Sequence, residues 1–152
     1  MIQRKQTLFL LLAFILNVVF LCLPVAWLIP EGMGVAQPMT NLWVQLAEGA
    51  RDFTPWPLFA LLMVATPLAF IAIFLFKNRG LQSMLCLVGE LLMFAWMIVY
   101  VYFALTICED FGGTFRFSLT AILPVVSFVL FLLARRGIQA DEALVRSMDR
   151  IR

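Results

Sequence analysis

Histidine is absent from the 152 residues, and cysteine occurs only as Cys22, Cys86 and Cys108, with no CxxC pair. The first absence removes His-containing zinc sites, His-ligated haem and the Ser-His or Cys-His nucleophile pairs. The second removes the vicinal thiols expected of a membrane thiol oxidoreductase; each cysteine lies in or at the end of an apolar run and reads as a small polarisable core residue. Charge is scarce as well: Asp, Glu, Lys and Arg make up 13% of the chain, against about 25% in ordinary soluble domains. With a net charge of only +2 and basic residues that hug apolar runs, nucleic acid is not an expected partner. No nucleotide-binding or metal-ligand spacing occurs, so no cofactor or metal is expected and the chain does not read as an enzyme.

Apolar residues fill the space that charge leaves. They make up 64% of the chain, and mean hydropathy is +1.01. Too few polar residues remain to cover a globule, so the bilayer is the expected solvent. Four charge-poor segments cover residues 8–29, 56–76, 81–107 and 117–134, the third carrying only Glu90. At about 1.5 Å per residue they reach roughly 33, 32, 40 and 27 Å, against a hydrocarbon core of about 30 Å. Helix is the expected form, because a lone segment in lipid satisfies its backbone internally and the alternation of barrel strands is missing. The first run is too long for a signal-peptide core and ends without a small-x-small pattern, so it reads as a retained helix. The fold class expected is therefore all-α, an integral membrane four-helix bundle of two antiparallel hairpins. It occupies residues 1–136, followed by an amphipathic tail at 137–152.

Basic residues orient the spans. Nine of the eleven lie before the first span, in the turn between the second and third, or after the fourth: Arg4, Lys5, Lys77, Arg79, Arg135, Arg136, Arg146, Arg150 and Arg152. The positive-inside rule then places both termini in the cytoplasm, with Trp27, Trp56, Tyr100 and Tyr102 as an outer aromatic belt. The short turn Lys77-Asn78-Arg79-Gly80 makes the second and third spans antiparallel neighbours. In the outer loop 30–55, Asn41 to Glu48 begins with a capping residue and ends before Gly49, which predicts a short interfacial helix. In the tail, Ala140, Leu144, Met148 and Ile151 share one helical face, with Asp141 and Glu142 elsewhere. That helix is expected on the inner leaflet or against the 77–80 turn.

Each span carries a polar residue near mid-membrane. Asn17 and Glu90 lie nine residues above the inner ends of their runs, Thr66 ten and Ser127 seven, which places them about 10–15 Å deep at 1.5 Å per residue. A charge at that depth is costly, so Glu90 is expected to face the bundle interior with Asn17 or Thr66 as partner. It then acts either as structural glue or as a proton or cation carrier. The basic group Arg4, Lys5, Lys77, Arg79, Arg135, Arg136, Arg146 and Arg150 offers a cytoplasmic surface for anionic lipid or protein.

Three stretches carry a resemblance: Met1-Ile2-Gln3-Arg4-Lys5-Gln6-Thr7, Ile73-Phe74-Leu75-Phe76-Lys77-Asn78-Arg79 with Leu81-Gln82, and Asp141 to Arg152 (DEALVRSMDRIR), the last being the most specific. Together with Trp56-Pro57-Leu58-Phe59, the chain resembles, over essentially its whole length, a domain-of-unknown-function family of small four-span inner-membrane proteins of the Bacteroidota. Lys5 stands where that family's opening motif is expected to be apolar. The resemblance implies topology and inner-membrane location but no activity. The expected role is thus a non-enzymatic accessory or stabilising subunit beside other inner-membrane proteins, the alternative being a small proton- or cation-coupled transporter or channel-like oligomer using Glu90.

Overall fold

A computed structural model describes residues 3–30, 34–46, 49–111 and 113–149. Four helices dominate it: α1 (Gln3–Cys22), α2 (Trp56–Phe74), α3 (Arg79–Phe111) and α4 (Leu123–Asp149). Each contains a stretch long and apolar enough to cross a membrane. α1 packs on α2 and α4, and α3 also packs on α2 and α4, so the helices form a four-cornered ring in chain order.

The buried residues show what holds the ring together. On α1 they are Gln6, Leu10, Ala13, Asn17 and Phe20; on α2, Leu58, Leu62, Ala65, Ala69 and Ala72. On α4 the stripe runs Ser127, Phe131, Ala134, Ile138 and Asp141. α3 continues the same rhythm from Gln82 and Cys86 through Met93, Trp96, Tyr100 and Phe103 to Ile107. The alternating spacings of four and three residues define a seam with a 3.5-residue period, the signature of knobs-into-holes packing with a left-handed supercoil. Small residues on the seam let backbones approach, as in membrane helix pairs generally. At Gly89 a Cβ would stand 2.6 Å from Phe131 Cε1, so only glycine admits that ring.

A five-stranded antiparallel sheet caps the other end, and it corrects the all-α expectation. Its strands are β1 (Ala26–Pro30), β2 (Gln37–Met39), β3 (Val44–Gln45), β4 (Arg51–Asp52) and β5 (Gly113–Phe117), in the order β4-β3-β2-β1-β5. Ala26, Leu28, Met39 and Val44 are buried against the bundle, while Trp27, paired with Arg116, lies on the opposite face. Residues 23–29 and 117–118, expected in spans one and four, are therefore not helical. Pro24 is the cause at the first, since its ring obstructs the preceding turn and it brings no N–H.

Ending α1 at Cys22 strands carbonyls that would be costly inside a membrane protein. The Phe20 carbonyl of the last turn is met, and so are two carbonyls of the chain that leaves the helix. Phe20 O accepts from Leu23 N at 3.3 Å and from Asn41 Nδ2 at 3.0 Å. Thr120 Oγ1 donates to Pro24 O, and Tyr100 Oη donates to Val25 O at 2.8 Å. Asn41 thus caps the end of α1 and does not begin a helix. The expected helix over 41–48 is replaced by a tight turn, in which Thr40 N donates to Trp43 O at 2.8 Å, followed by β3; Ala47 and Glu48 lie outside the described residues. Tyr100 likewise leaves the expected aromatic belt, being buried and stacked on Trp96 with centroids 4.9 Å apart. Trp56 and Tyr102 are exposed as expected.

At the basic end, α4 runs unbroken through Gly137, where a Cβ would lie 3.0 Å from Gln6 Cγ. Residues 137–149 of the expected tail are the last turns of this helix, and Ala140 and Leu144 of the expected buried face are exposed; the Met148 side chain and Ile151 lie outside the described residues. Ile138 and Asp141 are buried and Leu144 is exposed, because Gln6 Nε2 donates to Asp141 Oδ2 at 2.7 Å. Arg79 Nη1 donates to Asp141 O at 3.0 Å, which docks the tail on the α2–α3 turn.

Candidate functional site

All four polar residues expected at mid-membrane are buried: Asn17, Thr66, Glu90 and Ser127. Thr66 is satisfied within its own helix, its Oγ1 donating to Leu62 O at 2.7 Å. It sits beside Pro67, which has no N–H for the Met63 carbonyl one turn earlier; the Thr66 hydroxyl bonds the neighbouring Leu62 carbonyl instead.

Glu90 finds a partner other than the two expected. Arg135 Nη1 donates to Glu90 Oε2 at 3.1 Å, joining α3 to α4. Helix direction explains the meeting. Side chains tilt toward the N-terminus of their helix, and α3 and α4 run oppositely. Arg135 therefore reaches from the basic end up into the bundle, while the Glu90 carboxyl leans down toward it. The arginine side chain keeps 30% of its surface exposed and the glutamate 9%, so the pair lies at the boundary between the bundle interior and the basic end. Its place among the basic surface residues hides this reach; the signal for it in the sequence is a long stem on the first residue past the apolar fourth span.

Ring contacts fix the relative depth of the other polar groups. Phe20 of α1 meets Trp96 of α3 with centroids 5.1 Å apart, and Gly89 of α3 faces Phe131 of α4. Asn17 lies three residues from Phe20, Met93 three from Trp96, and Ser127 four from Phe131. These three residues share a layer, with Glu90 one turn, about 4.5 Å, closer to the basic end. Four buried atoms of this group have no hydrogen-bond partner among the described residues: Asn17 Nδ2, Ser127 Oγ, Glu90 Oε1 and Arg135 Nε. Cys86, one turn below Glu90 on the same seam, is close enough to feel the charges of both Glu90 and Arg135.

Arg51 and Arg116 lie in the sheet, and the other described basic residues lie at the opposite end of the bundle. Lys5, Lys77 and Arg136 are exposed there, Arg79 is half-buried by its bond to Asp141, and Arg135 points inward. The side chains of Arg4 and Arg146, and all of Arg150, lie outside the described residues.

Four apolar helices, heptad-packed around a polar node and closed by a small sheet, define a helical-bundle protein of membrane type. The chain belongs to the family described as "Domain of unknown function (DUF4293)", whose sequence profile matches residues 2–151. No curated protein matches it.

Proposed function

We propose that the protein is a non-enzymatic accessory or stabilising subunit of a larger assembly in a bacterial inner membrane, crossing four times with both termini in the cytoplasm, as in small inner-membrane proteins of the Bacteroidota. The observation that carries this reading is the ion pair between Glu90 and Arg135. A carboxylate with one oxygen bound by an arginine of the same chain clamps α3 to α4. The outward faces support the same reading, since Leu11, Ile15, Leu91, Ile98 and Val126 are exposed and suit lipid chains or the helices of a partner. Exposed Lys5, Lys77 and Arg136 at the basic end suit anionic headgroups or acidic loops. Purification of the tagged protein from native membranes in mild detergent tests the proposal. A stoichiometric membrane partner, whose own assembly fails when this chain is deleted, is expected. Recovery of the chain alone, under conditions that keep other complexes whole, refutes the proposal.

A second reading, a small proton- or cation-coupled transporter or channel-like oligomer, draws on the free Oε1 of Glu90. Proteoliposome flux that disappears in Glu90→Gln would favour it over the first.

A further inference from the structure

We propose that Asn17, Ser127, Glu90 and Arg135 form an internal hydration site, in which ordered water bridges α1, α3 and α4 and communicates with the basic end past the Arg135 guanidinium. The inference does not depend on the accessory-subunit reading. It rests on four polar atoms, each with almost no accessible surface and none bonded to another of the described residues, drawn from three helices within about one helical turn of each other. Asn17 and Ser127 are almost wholly buried, on neighbouring helices in the same layer, yet they do not bond directly. Two buried polar groups in one layer that do not bond each other directly are where a bridging water belongs. Leaving each group unmet would cost about 1–3 kcal/mol, whereas a buried water typically makes about three hydrogen bonds to such groups.

The chemistry of the group selects the ligand. Asn17 Nδ2 and Arg135 Nε only donate, Glu90 Oε1 as carboxylate only accepts, and the Ser127 hydroxyl does both. The charges of Glu90 and Arg135 already offset each other. A metal cation would meet the Asn17 amide N–H groups and the Arg135 guanidinium, and an anion would meet the carboxylate. A neutral molecule that both donates and accepts satisfies every member. Because Arg135 remains partly exposed, such water has a route of exchange toward the basic end and none through the sheet cap, where Asn41, Trp96 and Tyr100 bond to one another or to the end of α1.

Radiolytic hydroxyl-radical footprinting of the protein in lipid nanodiscs tests this, because radicals born from bound water oxidise neighbouring sulfur even where bulk solvent cannot reach. Cys86 and Met93 are both fully buried and flank the site. Labelling of both is expected in the wild type, with loss at Met93 in the Asn17→Leu, Ser127→Ala double variant. Unlabelled Cys86 and Met93 in the wild type, or Met93 labelling that persists in the double variant, overturns the proposal. If the double variant does not fold, water-to-amide cross-relaxation at the Asn17 side chain of the wild type decides. A cross-peak supports the site and its absence refutes it.

Discussion

Replacing Arg135 with leucine strands the Glu90 carboxylate between α3 and α4. At 3.1 Å the pair attracts by about 5 kcal/mol for an effective dielectric constant of about 20. That attraction is offset by desolvation of several kcal/mol for each ion, so the intact pair contributes little net stability. Removing one partner is different, because the penalty of the survivor stands uncompensated. The cost expected is about 3 kcal/mol, at the low end of the range for buried pairs, because the arginine is 30% exposed. For a chain of this size that corresponds to a melting temperature lower by roughly 6–12 °C. The double variant Glu90→Leu, Arg135→Leu removes both charges and should return to within about 1 kcal/mol of wild type. A thermal double-mutant cycle in nanodiscs, read by circular dichroism, measures the coupling. A double variant that loses the sum of the two single losses would show that the residues act independently and that the clamp does not exist.

Three further outcomes follow from the packing and topology. Gly89→Ala drives a methyl group against Phe131 and should cost about 1–3 kcal/mol, with recovery in Gly89→Ala, Phe131→Leu; melting curves of both variants check it. Asn41→Leu leaves the Trp96 indole N–H unmet, at about 1–3 kcal/mol, and takes from the Phe20 carbonyl one of its two donors, Leu23 N remaining. Its signature is a shifted Trp96 emission, together with faster amide exchange in β1 and β2. A reporter fused after Arg152 should be active on the cytoplasmic side, and activity on the other side would reverse the proposed orientation.

The four helices are legible in the sequence because lipid demands long charge-poor runs, and the basic end is legible because arginine and lysine interrupt those runs in only a few places. The buried face of each helix is not. Leu11, Leu12 and Ile15 are exposed while Leu10 and Ala13 are buried, and hydropathy does not separate them. In water the outward side would be polar and the seam would stand out; against lipid both sides are apolar. The sheet was hidden for another reason. Its longest strands have five residues, and β1 pairs with β5 from a distant loop, so neither segment carries a signal of its own. At the polar node, depth along the helix puts Asn17 and Glu90 at one level with Ser127 lower, whereas in the packed bundle Asn17 and Ser127 share a layer and Glu90 lies a turn closer to the basic end. Depth could not choose the partner of Glu90, because that depends on side-chain direction and on the length of Arg135.

The ladder between β1 and β5 ties the strand that leaves the first helix to the strand that feeds the last. α1 and α4 are thereby hinged together at one rim, while the opposite rim is joined by side chains such as Gln6 and Asp141. Any parting of these helices must begin at the basic rim and widen from there, like tweezers held at the closed end. A partner or lipid that wedges the bundle open therefore has one face from which to do so, and the sheet resists spreading from the other.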